Sequence, residues 1–271
     1  MINIFDLHND FLTSKMSIKQ KQSYINRSKK QGVNNILSAV WTTKMRGRQI
    51  FDELYQAKEF CKNYLLDLAI EDLYFVTPNN IDKIIELKPK YAGLTWNYEN
   101  RLAGGSNSYS GISQSGEDVI RKLEQNNIQI DTAHLNEKSF MRFANITNRP
   151  ILCSHTAFYS LNKHYRNLKD YQLKIICESG GLVGLCFVKD FLSEHKKVTV
   201  SDIAHHIDYF VCKFSIDCIS LGTDFYGTDN YPKGINGYKS IIKLQNSLEQ
   251  LGYTPSSIEK LFYKNAQRFF G

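Results

Sequence analysis

Three histidines and two carboxylates stand at or directly after short apolar runs, and these side-chain types are the ones that bind zinc. His8 and Asp10 are two residues apart in an extended segment. This spacing points both side chains to the same side of a strand, so an imidazole and a carboxylate could bind one cation. A capping or turn role for the pair is the alternative.

His134 and His155 end two successive apolar runs, 21 residues apart. Neighbouring strands of a sheet lie about 4.8 Å apart, so the two imidazoles could converge on a second cation. Either histidine alone would more often be a hydrogen-bonded structural residue. Two in succession favour a metal site.

Glu71 follows the apolar run Leu65–Ile70. A carboxylate beside a buried core is costly unless it is compensated. A position between two metal ions would compensate it, and so would a salt bridge to a lysine or arginine.

Asp224 and Arg166 are candidates for proton transfer and substrate binding. Asp224 ends the last apolar run, where it could bind metal, move protons as a general acid or base, or form an Asx turn before Gly227. Arg166 follows His155 by eleven residues, and its guanidinium could pair with a substrate carboxylate or form an exposed salt bridge.

Elements of two kinds must position these side chains, and they alternate along the chain. Eight apolar, β-rich runs are separated by stretches of helical length; they lie near 2–6, 34–42, 65–70, 91–96, 128–133, 150–154, 181–188 and 218–223. Eight parallel strands with intervening helices predict an α/β fold, a (β/α)₈ TIM-like barrel whose active site lies at the carboxyl ends of the strands. A doubly wound open sheet competes, but no Gly-x-Gly-x-x-Gly follows the first run.

The helical stretches carry recognisable ends. Ser115 is a possible N-cap for a helix over 116–127, and a second helix is predicted over 136–147. An amphipathic helix over 256–270 would pack last. The chain has five prolines and no Gly/Ser tract, so we expect one domain over residues 1–271.

Composition excludes several classes of protein. The net charge is +7, with locally basic stretches at 19–30 and 44–48, but neither carries a nucleic-acid recognition motif, and a solvated basic face is expected instead. No apolar run approaches the roughly 20 residues that cross a bilayer. Because the first apolar run begins right after Met1 and the six cysteines are scattered, we expect a cytoplasmic protein with reduced thiols. The remaining histidines are expected at the surface: His164, His195, His205 and His206.

The candidate residues, in this order, resemble the motifs of the membrane dipeptidase (renal dipeptidase-like) family of zinc peptidases. Residues 6–10 resemble its Asp-x-His-x-Asp, residues 69–71 its Gly-Val-Glu, and residues 131–134 and 153–157 its two later histidine motifs. Residues 165–167 resemble its Arg-Asn segment and residues 222–225 its Gly-x-Asp-Phe. The similarity covers nearly the whole chain.

This resemblance implies a metal-dependent hydrolase with two zinc ions. It implies His8, Asp10 and Glu71 around one ion, and Glu71, His134 and His155 around the other, with a bridging hydroxide as nucleophile. Asp224 would carry the proton to the departing amine, and Arg166 would hold the substrate carboxylate or the oxyanion. The substrate implied is a small dipeptide, often with a D-residue at its C-terminal position, and homodimers are common in the family.

The sequence departs from the family at two predicted substrate contacts. Where family members have a histidine after Leu-Thr, this chain has Trp96 followed by Asn97, so these two residues are the expected substrate contacts there. Near the seventh strand the family's Asn-Phe-Tyr is replaced by Cys186-Phe187-Val188, which offers no hydroxyl. A hydrolase of a non-peptide ester, lactone, phosphodiester or amide is therefore an alternative, and a non-catalytic barrel is a further one.

Overall fold

The fold is a closed barrel of eight parallel strands, described here for residues 2–271 from a computed structural model. The strands are β1 (Ile4–Asn9), β2 (Val33–Trp41), β3 (Asp67–Glu71), β4 (Tyr91–Gly93), β5 (Gln129–Asp131), β6 (Leu152–Thr156), β7 (Leu182–Leu185) and β8 (Ile219–Leu221). They follow one another in chain order, and β8 pairs with β1. The predicted (β/α)₈ fold class is confirmed.

Helices separate the strands. They are α1 (Ile18–Lys30), α2 (Gln49–Tyr64), α3 (Ile81–Leu87), α4 (Gln114–Gln125), α5 (Glu137–Ile146), α6 (Asp170–Glu178), α7 (Lys189–Leu192), α8 (Val200–Lys213), α9 (Ile241–Gln250), α10 (Pro255–Glu259) and α11 (Asn265–Phe270). Short 3-10 turns occupy Ile216–Cys218 and Tyr238–Ser240, and a π-helical turn over Lys260–Lys264 joins α10 to α11. No helix within residues 2–271 is long and apolar enough to cross a membrane.

The chain forms two compact units, each with its own strand pairs. The first holds the residues up to Ile36 together with Cys153–Gly271, and in it β8 pairs with both β1 and β7. The second is Leu37–Leu152, where β3 pairs with the end of β2 and with β4, and β4 pairs with β5. That residues 1–271 form a single domain stays a prediction.

Two glycines of the first unit allow a close approach of strands. A Cβ built on Gly184 or on Gly222 would lie 1.9 Å from the carbonyl oxygen of Ser154. No side chain fits at that distance, so only glycine lets β7 and the residue after β8 come this close to β6.

The strand ends differ from the predicted ones in a way that matters for the site. The strands β1 and β6 run further than their apolar runs, so His8 and His155 lie inside strands rather than after them. Both residues are buried, and their polar side chains are satisfied by polar neighbours. The apolar pattern therefore stops before the strand does.

Two helix starts are corrected by the structure. Ser113, not Ser115, is the N-cap of α4, because its backbone is extended and its Oγ accepts the N–H of Gly116 at 3.0 Å. Ser115 lies within the first helical turn. The predicted last helix is confirmed over α10, the π turn and α11, and it begins one residue earlier, at Pro255.

Candidate metal centre

In the first unit, three candidate residues bring ligand atoms together at the carboxyl ends of β1 and β8. His8 Nε2 lies 3.1 Å from Asp10 Oδ2 and 3.9 Å from Asp224 Oδ1. One nitrogen and two carboxylate oxygens all lie within 4.8 Å of one another. An imidazole with two carboxylates is a donor set that suits zinc and related divalent ions. Asp224 is therefore a candidate ligand as well as a candidate proton carrier.

Asp6 fixes the register in which these ligands meet. Its carboxylate accepts the Thr223 N–H at 2.8 Å and the Thr223 hydroxyl at 2.6 Å, and the Tyr238 hydroxyl donates to it as well. Burial raises the pKa of Asp6, and the hydrogen bonds from Thr223 and Tyr238 oppose that rise. The Asp224 N–H also donates to the His8 carbonyl at 3.1 Å. Hydrogen bonds thus connect the ends of β1 and β8 just below the candidate ligands.

His155 lies on β6 in the same unit, with its ring centroid 3.8 Å from that of His8. Arg166 Nη2 donates to His155 Nε2 at 3.0 Å, and Ser154 Oγ lies 2.8 Å from His155 Nδ1. A guanidinium can only donate, so Nε2 is the acceptor and Nδ1 carries the proton. With the proton on Nδ1, Nε2 is the nitrogen that a metal ion would use, and a bound ion would displace the Arg166 N–H from it.

Arg166 is buried beside His155, which excludes the exposed salt bridge considered for it. Its relative exposure is 4%, and its Nε is buried with no acceptor among residues 2–271. Burying a guanidinium N–H without an acceptor is unfavourable. A ligand oxygen would satisfy it.

In the second unit, Glu71 and His134 form a close pair. Glu71 is the last residue of β3, and its Oε1 lies 2.6 Å from His134 Nε2. His134 Nδ1 donates to Asn97 Oδ1 at 2.8 Å, an oxygen that also accepts the Ser106 hydroxyl. Asn97 thereby keeps the proton on Nδ1 and turns Nε2 toward Glu71.

Trp96 and Trp41 lie beside this pair. The Trp96 ring centroid is 6.1 Å from that of His134 and 5.3 Å from that of Trp41.

In the first unit, the position where the family can carry a tyrosine is filled by Val188, which is buried and follows the fully buried Cys186. Burial raises the pKa of the Cys186 thiol well above its usual value, so this segment contributes no acidic side chain.

Several site residues have backbones in the left-handed region. The φ angle is 70° at His134, 59° at Asp224, 75° at Asp72 and 71° at Tyr226. Residues other than glycine adopt this conformation at a cost and concentrate at functional sites.

Sequence reasoning missed Asp6, Ser154 and Asp72. Asp72 accepts the Thr43 hydroxyl at 2.8 Å and the Asn100 amide at 3.0 Å, so it ties two loops to the end of β3. Burial raises the pKa of Asp72 to about 6 against these hydrogen bonds. Asp6 is the first residue of a recognised motif and Asp72 directly follows another, and these positions were the available signal. Ser154 had no signal beyond its place before His155.

The remaining histidines differ from expectation in part. His195 and His205 are exposed as expected, while His164 is half-buried. His206 is buried on α8, where it donates through Nε2 to the Leu192 carbonyl at 2.9 Å, so its predicted surface position is wrong. It packs its apolar face against Phe158.

Comparison with known proteins decides the family. The sequence matches the profile of the membrane dipeptidase family, peptidase family M19, over residues 4–271. The chain belongs to this family. It is therefore placed among the metal-dependent dipeptidases, a class of hydrolases, and the resemblance noted in its motifs is confirmed.

Individual relatives of this M19 chain are distant. It is similar to an uncharacterized protein of the pqqA 5' region in Klebsiella pneumoniae, 31% identical over 185 residues that cover 64% of the chain and 68% of the relative. It is 27% identical to an uncharacterized dipeptidase of Schizosaccharomyces pombe over 214 residues, 74% of the chain, and it spans about half the length of that relative.

The fold has solved counterparts. A metallopeptidase from Rhodobacter sphaeroides, crystallised with a phosphinate mimic of the dipeptide L-Ala-D-Ala, superposes with a TM-score of 0.87 at 19% identity, covering 99% of this chain and 98% of that one. At this identity the likeness supports the barrel fold alone.

Proposed function

We propose that the chain is a zinc-dependent dipeptidase that holds two zinc ions per chain through His8, Asp10, Glu71, His134 and His155. The observation that carries the proposal is the set of buried donor groups at strand ends, in each unit, in a chain of the M19 family. Their chemistry fits the ions, because neutral imidazoles and carboxylates are the usual zinc ligands of hydrolases. When bound, two zinc ions would acidify a water for attack as hydroxide and polarise the scissile carbonyl.

Asp224 is the proposed proton carrier. Its Oδ1 lies 3.9 Å from His8 Nε2, among the proposed ligands, and its side chain is 13% exposed. A carboxylate in this position can take a proton from the attacking water and deliver it to the departing amine. Metal ligation by Asp224 is compatible with the same task.

Arg166 is the proposed anchor for the substrate carboxylate or the oxyanion. Its buried Nε–H needs an acceptor, which the C-terminal carboxylate of a dipeptide would supply through a charge-assisted hydrogen bond.

Trp96 and Asn97 are the proposed substrate contacts from the second unit. The side-chain oxygen of Asn97 already accepts hydrogen bonds from His134 and Ser106, so Asn97 would contact the substrate through its Nδ2 group.

The proposed substrate is a small dipeptide, with a C-terminal D-residue accepted. Family membership supports the dipeptide, and the resemblance of the sequence motifs to the family implies the D-residue. Trp96, in place of a polar residue, keeps a non-peptide ester, lactone or amide open as substrate. A cytoplasmic location and a homodimer remain predictions from the sequence and from the family resemblance.

Initial rates on matched substrates test the proposal. We expect hydrolysis of L-Ala-L-Ala and L-Ala-D-Ala, with slower turnover of simple esters and lactones. Asp224→Asn should lower kcat on the dipeptides by about 10²- to 10⁴-fold while the melting temperature changes little. Hydrolysis of esters or lactones without any dipeptide would contradict the substrate assignment. Stoichiometric zinc with no turnover of any substrate would favour the non-catalytic barrel.

A further inference from the structure

Both tryptophans of the chain lie together in the second unit. The sequence contains two, Trp41 and Trp96. Trp41 is the last residue of β2, and Trp96 follows β4 by three residues. Their ring centroids are 5.3 Å apart, and Tyr98 continues the cluster 5.9 Å from Trp96. We call the two indoles the aromatic wall.

The aromatic wall stands against the proposed metal ligands of its unit. Trp41 is the register partner of Glu71 in the parallel pair of β2 and β3, and register partners on neighbouring strands point to the same face of a sheet. Trp96 is 6.1 Å from His134 between ring centroids. A molecule held by the Glu71–His134 pair would therefore lie next to the indoles.

Both indoles leave binding capacity unused. Trp41 and Trp96 are only half-buried, so aromatic surface remains open. The indole N–H of Trp41 is buried and has no acceptor among residues 2–271. Buried indole N–H groups usually have a partner, and a carbonyl or carboxylate oxygen of a ligand would provide one.

A cationic side chain packs on the aromatic wall. Lys44 Nζ lies 4.9 Å from the Trp41 ring centroid. Lys44 already occupies one face of the Trp41 indole. A second cation from a ligand would meet like-charge repulsion there.

We propose that the aromatic wall binds one side chain of the substrate and selects dipeptides with a large planar or apolar residue over those with a small or a cationic one. The inference rests on the proposed dipeptidase function and adds the substrate class. Trp41 and Trp96 are its specificity-determining residues. Stacking and apolar burial against two indoles favour Phe, Tyr or Trp side chains, and Lys44 disfavours Lys and Arg.

Intrinsic fluorescence tests binding directly, because every tryptophan of the chain is in the wall. The probes are phosphinate dipeptide mimics with a benzyl or a methyl side chain at either position, added to the zinc-loaded enzyme and to the single-tryptophan variants Trp41→Phe and Trp96→Phe. We expect one benzyl mimic to shift the emission and to bind about tenfold tighter than its methyl counterpart. Equal affinities with unchanged emission would overturn the inference.

Kinetics supply the second test. For wild type, kcat/KM should be highest for dipeptides with an aromatic residue, lower for Ala-Ala and lowest for those with lysine. Trp96→Ala, or the milder Trp96→His, should lower the aromatic-to-alanine ratio about tenfold. Tyr109→Ala is the matched control, since Tyr109 is a 98% exposed aromatic outside the wall, and it should leave the ratio unchanged.

The two levels of failure are distinguishable. Turnover of dipeptides with no preference among side chains, or an unchanged ratio in both Trp96 variants, would overturn the aromatic wall and leave the dipeptidase assignment intact. Absence of hydrolysis of every dipeptide by zinc-loaded wild type would overturn the proposed function and this inference with it.

Discussion

Asn97 shows how a residue beside a proposed ligand can set the ligand's chemistry. Its side-chain oxygen accepts the Nδ1 proton of His134, which leaves Nε2 directed at Glu71. Histidine ligands generally depend on such a partner for ring orientation and tautomer. We therefore assign Asn97 a positioning role in addition to its predicted contact with substrate.

Substitution of Asn97 should weaken metal binding. Asn97→Leu removes the acceptor at similar volume, and we expect zinc affinity to fall about 10- to 100-fold. Asn97→Asp keeps an oxygen at the same place and should retain affinity near that of wild type. Competition with a chromophoric chelator measures both variants. Equal zinc affinity in the leucine variant would show that His134 needs no partner at Nδ1.

At the residue scale, the sequence indicated which candidate ligands lie close together better than it indicated the residues that hold them in place. His8, Asp10 and Asp224 could be predicted to meet because motif and strand order place them at neighbouring strand ends, and their ligand atoms do meet. Asp6 and Ser154 could not be assigned roles. The partners of Asp6 are Thr223 and Tyr238, and one partner of Ser154 is the ring of His8. All three are distant in sequence and become neighbours only through the fold.

At the scale of secondary-structure elements, the close approach of β7 to β6 requires glycine, because a side chain at Gly184 would collide with the backbone of Ser154. Gly184→Ala would place a Cβ 1.9 Å from the Ser154 carbonyl oxygen, and that backbone cannot rotate away as a flexible side chain could. We expect the free energy of unfolding to fall by about 2 kcal/mol or more, measured by urea denaturation.

Gly93→Ala is the matched control for this strand substitution. The nearest atom to its added Cβ is 3.8 Å away, an ordinary contact, and its φ is not positive. Its free energy of unfolding should stay the same or rise by about 0.5 kcal/mol. Equal losses in both variants would argue against the close approach at Ser154.

Buried His206, which connects α8 to Leu192 at the end of α7, should make the folded protein less stable in acid. Burial lowers the pKa of His206 from 6.5 to about 4 in the folded protein. Between these values the unfolded chain binds a proton that the folded protein does not, so stability is complete above pH 6.5 and falls as the pH drops toward 4. The loss reaches about 3 kcal/mol.

The neighbouring histidine supplies the control for that prediction. His206→Gln should flatten the stability-versus-pH curve between pH 6.5 and 4, measured by urea denaturation at several pH values, since this variant has no imidazole to protonate. His205→Gln changes an exposed ring and should leave the slope as in wild type. An equal slope in the His206 variant would place the acid sensitivity elsewhere.

Element boundaries were less predictable than element types. Each predicted apolar run overlaps a strand, yet β1 and β6 extend into polar residues because the proposed ligands and the residues that contact them line the strand ends. The N-cap of α4 was misplaced by two residues because Ser113 and Ser115 have the same capping chemistry. Only the backbone angle of Ser113 separates them.

At the scale of the whole molecule, the alternation of eight apolar runs with helical stretches was enough to predict the barrel. Closure itself depends on the pairing of β8 with β1, through residues more than 200 positions apart. No local pattern encodes such a contact, and the count of eight was its indirect signal. The substrate could not be predicted to the same depth, because Trp41 and Trp96 become one surface only through the fold.

The central claim is that this M19 chain cleaves dipeptides only with metal bound at the proposed ligands. The most direct measurement is the initial rate of L-Ala-D-Ala hydrolysis by one preparation before chelation, after complete metal removal and during titration with zinc, with His155→Ala in parallel. We predict that chelation abolishes the rate, that wild type recovers as two equivalents of zinc bind, and that the variant binds one equivalent and stays largely inactive. An undiminished rate in the metal-free protein would contradict the account.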